Sequence, residues 1–572
     1  MKGFRVIVAW ILLGALAVPG RAQRPPVEGC EGMVVTAHAV ASEIGIEILR
    51  RGGNAVDAAV AVGFALAVVY PRAGNLGGGG FMVLRMADGQ SRVIDYREAA
   101  PAAAGRDVFL DEEGRVIPGA SILGYRAAGI PGTVAGLAFV LERFGTLNLA
   151  GVIEPARRLA AEGFMVTRPF ETSLRKYAGT LADDPESQRI FLNEGNFWKT
   201  GDLFVQGDLA KTLERIQRKG SRGFYRGETA DMIVEAMVRN NGLITHEDLT
   251  DYRPVEREVL RGTYRGLEIL TMPPPSSGGI ALLQMLHMLE PYDLGAMGFQ
   301  GSDTLHLMAE TMRRAFRDRA EFPGDPDYVD VPVESLLTRE YALGLMQDFD
   351  PENAGRSEGM APGDPWSHES PETTHFSIVD RNGNAVSNTY TLNRAYGSKV
   401  TVPGTGVLLN NEMDDFTSKP GVPNSYGLIQ GEANAVVGGK RPLSSMTPTL
   451  VLRDGKIYLV IGSPGGPKII NIVLQVILNV VDHGMNIQQA IEAPRVHHQW
   501  MPDALRYEPF AIAPDTMAIL ESRGHILVPF VENPPRDYRY WGDAGGILVD
   551  SEEGLLFGAG DPRNARSMAI GF

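Results

Sequence analysis

The chain has 572 residues, enough for several ordinary domains or one large layered fold, and its 44% hydrophobic, 22% charged, glycine-rich composition is that of a globular, turn-rich protein. Its formal charge of -15 argues against nucleic acid as a partner. A single cysteine, Cys30, leaves no intrachain disulfide to draw on, so stability has to come from burial.

Lys2 and Arg5 precede an apolar run over residues 6–18 that closes in Pro19-Gly20-Arg21-Ala22. This is the layout of a cleavable signal peptide at 1–22, shorter than the roughly 20 residues that span a bilayer. The expectation is a periplasmic or secreted protein with no stable membrane anchor; an uncleaved anchor is the alternative. Losing Lys2, Arg5 and Arg21 makes the mature chain more acidic still. Cys30 lies too far beyond the apolar run to be a lipid-attachment site and reads as incidental.

Val40, Ile44, Ile48 and Leu49 recur at helical spacing up to Gly52-Gly53, which predicts an amphipathic helix and its stop. A second helix follows, with Asn54 as N-cap, Asp57 three positions on, and a small-residue apolar face of Val56, Ala59, Val60, Gly63, Phe64 and Ala67. Three hairpins are predicted from alternating runs around Asp88-Gly89, Asn382-Gly383 and Asp454-Gly455. From about residue 135 to 348 the pattern is mainly helical, interrupted over 252–272 by an extended stretch that ends in Pro273-Pro274-Pro275-Ser276-Ser277-Gly278-Gly279. Helices layered on antiparallel sheets are the expected architecture. Over residues 350–372 periodicity vanishes, which marks a long loop running directly into Thr373-Thr374-His375-Phe376-Ser377. The run from Lys468 to His483 reads as a helix whose Asn471, Gln475 and Asn479 form one polar face, so it is not a membrane span.

Two features invite cofactor or metal readings and support neither. His497 and His498 are adjacent on a predicted strand and face opposite sides, poor geometry for chelation. The run Gly77–Gly80 lacks the Lys-Ser/Thr ending of a phosphate-binding loop, and packing against the following hairpin explains it better. No metal and no cofactor are expected.

The order of several short motifs carries more information than any of them alone. Pro371-Glu372-Thr373-Thr374-His375-Phe376-Ser377, Thr391-Leu392-Asn393, Asn410-Asn411-Glu412-Met413-Asp414-Asp415-Phe416, Pro442-Leu443-Ser444-Ser445-Met446 and Gly462-Ser463-Pro464-Gly465-Gly466 together closely resemble the γ-glutamyltransferase family. Asn75 to Phe81, Asp95 to Pro101 and Gly129-Ile130-Pro131-Gly132 fit the same pattern, so the resemblance runs along essentially the whole mature chain. It implies the N-terminal-nucleophile hydrolase fold, an α+β, four-layer αββα sandwich of two antiparallel sheets between helical layers. It also implies a zymogen that cleaves itself between Glu372 and Thr373, dividing the mature chain into a large subunit, 23–372, and a small catalytic subunit, 373–572, that stay together as a heterodimer.

The chemistry of such a cut is independent of the family. A threonine hydroxyl is a poor nucleophile until a base takes its proton, and a free α-amine on the same residue, titrating near pH ~7.7–8, supplies that base. The resemblance assigns Thr373 as nucleophile and Thr391 as the residue that orients its hydroxyl. Gly465 and Gly466, just ahead of a helix start, are placed to donate amides to an oxyanion. A γ-glutamyl donor presents an α-carboxylate and an α-ammonium. Arg97 matches the family arginine that clamps the carboxylate, with Ser444 and Ser445 adding hydroxyls. Asn393, Glu412 and Asp415 match the groups that hold the ammonium. The segment from Ser418 to Tyr426 resembles the family's lid loop, with Tyr426 as its gate, and this favours small donors.

The expected activity is therefore that of a γ-glutamyltransferase and glutathione hydrolase acting on glutathione and other γ-glutamyl compounds, with water, amino acids or dipeptides as acceptors. Two alternatives remain: the same fold acting on cephalosporin side chains or poly-γ-glutamate, and an unprocessed secreted amino-acid-binding protein.

Overall fold

The computed structural model describes residues 24–357, 373–419 and 421–572, apart from positions 423, 425, 426, 429, 534–536, 539 and 540. The leader at 1–22, Glu372 and Tyr426 thus lie outside the described residues.

Two seven-stranded sheets face one another, each antiparallel throughout. The first runs in the spatial order Met568–Gly571, Gly32–Thr36, Thr373–Asp380, Ala385–Thr391, Gly79–Arg85, Ser91–Tyr96 and Val255–Arg257. The second runs Val27–Gly29, Leu555–Gly560, Gly545–Asp550, Lys456–Gly462, Thr449–Arg453, Leu267–Thr271 and Leu260–Tyr264.

Alternation along each strand decides which layer a side chain joins. On the first sheet Val34, Met82, Leu84, Ile94, Phe376 and Ile378 pack toward helices, while Met33, Val35, Phe81, Val83 and Val93 join the core shared with the second sheet. The inner layer is partly polar: Ser377 Oγ donates to the Gly545 carbonyl at 3.0 Å and Ser387 Oγ to that of Ile461 at 3.0 Å. The two sheets are therefore bonded as well as packed.

The helix Ala55–Val69 lies beneath the Thr373 hairpin with every residue buried, and the Tyr390 hydroxyl donates to its Gly63 carbonyl at 2.9 Å. Its start is the expected capping box, in which Asn54 accepts from the Asp57 amide and Asp57 accepts from the Asn54 amide at 2.7 Å. Ala39–Arg50 and Thr133–Phe144 complete that layer, while Gly278–Leu289 and Lys468–Val481 cover the second sheet and Ser302–Glu321 stacks outside Gly278–Leu289. The αββα class expected from the sequence is the architecture observed.

All three predicted hairpins form, the Asp454-Gly455 one with a register irregularity between Val451 and Leu452. The helix Lys468–Val481 forms with the polar face expected of it. Its polar face is buried: Asn471 Nδ2 donates to the His498 carbonyl at 3.0 Å, Gln475 receives the Val496 amide at 2.9 Å, and Asn479 Nδ2 reaches the Ala490 carbonyl at 3.2 Å. The amides hold the chain that follows the helix, so the face is polar because it satisfies backbone rather than because it meets water. No described helix is long and apolar enough to cross a membrane.

Candidate active site

The antiparallel register sets Thr373, the first residue of its strand, opposite Thr391, the last of the next. Thr373 Oγ1 donates to Thr391 Oγ1 at 3.3 Å, and the same Thr391 oxygen accepts the Asn393 amide at 2.8 Å. The Thr391 carbonyl is fixed in turn by Asn75 Nδ2 at 2.8 Å, and Asn75 Oδ1 receives the Gly78 amide and the Thr133 hydroxyl. A Cβ on Gly78 would lie 2.0 Å from the Thr391 carbonyl oxygen. Close approach to this hairpin explains Gly78 and Gly80, whereas a Cβ on Gly77 would meet the Leu408 carbonyl and one on Gly79 that of Tyr96.

His375, two residues along the same face, hydrogen-bonds the Thr389 hydroxyl through Nδ1 and the Ser377 hydroxyl through Nε2, both at 2.9 Å. Burial drives its pKa down to about 3, so it is a neutral member of the inner layer.

Arg97 follows the strand Ser91–Tyr96 and is held at both ends of its backbone: its amide donates to Asp95 Oδ1 at 3.0 Å and its carbonyl accepts the Tyr252 hydroxyl at 2.7 Å. Its guanidinium, 1% exposed, donates to Glu412 and Asp415 and to the Pro442 carbonyl at 3.2 Å, with Glu98 at 3.7 Å. Burial would lower its pKa, but the Glu412, Asp415 and Glu98 carboxylates outweigh burial and hold it above the usual arginine value. The sequence reading placed Arg97 and the Glu412/Asp415 pair at opposite ends of a donor. The structure joins them in one ion-pair network.

The acids come from the single turn Glu412–Asp415. Asn410 fixes that turn by accepting the Glu412 amide at 2.9 Å while donating to the Gly77 and Gly129 carbonyls at 2.8 Å. Burial raises the Glu412 carboxyl well above its ordinary value and Arg97 opposes this; Glu98 moves the same way, to about 7, for the same causes. Asn393 adopts a left-handed φ of 72° and directs Nδ2 to the Asn411 carbonyl at 3.0 Å and Asp415 Oδ1 at 3.5 Å. Ser444 is docked on the Pro-rich turn after residue 272: its amide donates to the Pro275 carbonyl at 2.9 Å, and its carbonyl accepts the Ser277 amide at 2.9 Å and hydroxyl at 2.7 Å. Gly465 and Gly466 take φ of 139° and 57°, values that side chains disfavour, immediately before the helix Lys468–Val481.

Nine of the expected residues line one pocket: Thr373, Thr391, Arg97, Asn393, Glu412, Asp415, Ser444, Ser445 and Gly466. Gly465 is their neighbour in the turn. Leu428, two residues beyond the segment expected to be a lid, also lines the pocket.

The Gamma-glutamyltranspeptidase profile matches residues 41–571. This chain belongs to the γ-glutamyltranspeptidase family. It is 46% identical to the glutathione hydrolase proenzyme of Pseudomonas sp. (strain A14), over 99% of each chain, and 47% identical to that of Escherichia coli (strain K12), over 96% of this chain and 93% of that one. The solved cephalosporin acylase from Bacillus halodurans superposes with a TM-score of 0.84 at 27% identity, covering 98% of this chain and 99% of that one.

Family motifs account for most of the pocket but not all of it. Arg319, from the helix Ser302–Glu321, lines it as well and donates through NH2 to Ser445 Oγ at 2.9 Å. A signal was present: Met312, Phe316 and Arg319 follow helical spacing, so an arginine occupies the apolar stripe, whereas Arg317 points out with its side chain 54% exposed. Among the described residues one group has the makings of a metal site, His306, Glu310 and His525. Its donors are taken: His306 and His525 bond each other at 2.7 Å, and Glu310 is paired with Arg313 and Arg314.

Proposed function

We propose that this chain is an autoprocessed γ-glutamyltransferase and glutathione hydrolase whose nucleophile is Thr373. The observation that carries the reading is the juxtaposition, in one pocket, of the Thr373–Thr391 hydroxyl pair with the Arg97–Glu412–Asp415 network. Cleavage before Thr373 frees an α-amine that takes the hydroxyl proton. Oγ1 attacks the γ-carbonyl of the donor, and the developing oxyanion is met by amides of the Gly465-Gly466 turn. The leaving amine, cysteinylglycine when the donor is glutathione, departs with the proton from the Thr373 ammonium. A γ-glutamyl ester remains, and water or an amino-acid or dipeptide acceptor resolves it.

Arg97, Ser444 and Ser445 receive the donor α-carboxylate; Asn393, Glu412 and Asp415 receive its ammonium; the segment containing Tyr426 covers it. The layout of residues 1–22 supports export to the periplasm or medium. The name of the Bacillus halodurans structure favours a second reading, acyl transfer from a cephalosporin side chain. The buried carboxylate of Glu412 and the partly exposed one of Asp415 weigh against it, because they match an ammonium that a glutaryl group lacks.

The test is to isolate the mature protein, sequence the N-terminus of its smaller fragment and assay p-nitroaniline release from γ-glutamyl-p-nitroanilide. A start at Thr373, with release abolished in Thr373→Ala, is expected. Faster turnover of glutaryl-cephalosporin overturns the substrate assignment, and a single full-length band that binds glutamate tightly overturns the enzyme.

A further inference from the structure

Charge in the pocket is unevenly matched. Glu98, Glu412 and Asp415 are all gathered on one cation, Arg97. Arg319 is 3% exposed, lines the same pocket, and has no ion pair with a carboxylate among the described residues. Its NH2 donates to Ser445 Oγ at 2.9 Å, and its Nε is buried with no hydrogen-bond partner. Burial lowers its pKa only to about 10, with Asp415 opposing, so it stays charged at neutral pH.

A buried guanidinium without an anion costs free energy, and folded proteins rarely leave one so unless an anion arrives from outside. Arg319 does not pair with the adjacent Asp318, whose Oδ2 accepts from Gln284 and Tyr341. It reaches instead toward Ser445, at the end of the pocket that the proposed function gives to the donor carboxylate.

We propose that Arg319 is a second carboxylate-binding cation of the donor site, acting directly and through Ser445, and that it makes the site selective for donors bearing a free α-carboxylate. This rests on the functional reading above. The guanidinium of Arg97 is shared with three acids, so the net positive charge available to an incoming carboxylate belongs to Arg319. A donor whose ammonium sits against Glu412 and Asp415 leaves Arg319 to face its carboxylate.

The experiment compares processed wild type, Arg319→Met and Arg319→Lys, with three readouts: γ-glutamyl-p-nitroanilide kinetics, thermal unfolding with and without L-glutamate, and a denaturing gel. The expected result is normal two-band processing and a KM raised about tenfold or more in Arg319→Met with kcat little changed, as for loss of a contact made equally in ground and transition states. Arg319→Lys should fall between the two. The Tm rise that L-glutamate gives wild type should be lost in Arg319→Met, while the Tm measured without glutamate should be no lower than that of wild type, because an unpaired buried charge has been removed. A lowered Tm with KM and the glutamate shift intact makes Arg319 structural and overturns the proposal, as does an Arg319→Met chain that stays full length. A wild type that neither turns over the anilide nor responds to glutamate fails at the functional reading itself, and the assignment of Arg319 falls with it.

Discussion

Glu98 belongs to the buried network around Arg97. It is fully buried, a Cβ on Gly79 would lie 2.8 Å from its Oε2, neither carboxylate oxygen has a hydrogen-bond partner among the described residues, and the nearest cation is Arg97 at 3.7 Å. Burial raises its pKa from 4.5 to about 7 against the pull of Arg97. A carboxyl whose folded pKa lies above its unfolded one favours the fold fully below pH 4.5, and that contribution is lost as pH rises through about 7. Glu98→Gln, which cannot ionise, should therefore flatten the decline in stability over this window, by on the order of 3 kcal/mol at pH 8. Urea unfolding of both proteins from pH 4.5 to 8 measures it; parallel pH profiles would show that Glu98 does not carry the effect. The residues that the sequence made legible, such as Asn393, Asp415 and Ser445, sit in contiguous motifs whose order along the chain is itself a signal. Arg319 comes from a helix with no such motif, and only its place on an apolar stripe marks it. The direct pairing of Arg97 with Glu412 was hidden for another reason: motif matching assigns each side chain to a ligand group, whereas the fold brings the side chains to each other.

At the scale of elements, the nucleophile strand is anchored at the end remote from the site. Asp380 closes Thr373–Asp380, and its Oδ2 accepts the Ala55 amide, at the start of the helix Ala55–Val69, at 2.9 Å and Asn384 Nδ2 at 2.7 Å. Its Oδ1 accepts the Asn382 and Asn384 amides at 2.9 and 3.0 Å. One carboxylate thus shapes the hairpin turn and caps the buried helix beneath it. Asp380→Ala leaves those donors unmet and should cost about 2–4 kcal/mol, with KM for the anilide little changed, since the site is built at the other end of the strand. A shift in denaturation midpoint below that of ordinary surface substitutions would refute this anchoring role. Hairpins of this kind were readable because alternating apolar residues flank Asp-Gly or Asn-Gly turns. The strands Gly545–Asp550, Leu555–Gly560 and Met568–Gly571 were not, because Gly545, Gly546, Gly558, Gly560 and Gly571 dilute the β pattern. Those glycines answer to close packing instead: a Cβ on Gly558 would meet Met33 Sδ at 2.4 Å.

Across the whole molecule, neither sheet belongs to one side of the expected cut at Glu372-Thr373. In the first sheet the strand Gly32–Thr36 lies between Met568–Gly571 and Thr373–Asp380, and Gly79–Arg85 pairs with Ala385–Thr391. In the second, Val27–Gly29 pairs with Leu555–Gly560 at one edge, and Leu267–Thr271 pairs with Thr449–Arg453 near the other. The chain ends add to this interlock, since the Cys30 amide donates to the Phe572 carbonyl at 2.9 Å. Separating residues 23–372 from 373–572 would strip ladder hydrogen bonds from both sheets and open the core between them, leaving bare edges on each fragment. Cleavage should therefore cut the covalent chain without releasing a subunit. Gel filtration of the processed protein should give one species containing both fragments, and only a denaturant should part them. Each fragment expressed alone should aggregate or remain unfolded, and activity should return only when the two are refolded together. A small fragment that folds and turns over γ-glutamyl-p-nitroanilide by itself would contradict this, because Arg97 and Arg319 both lie on the other side of the cut.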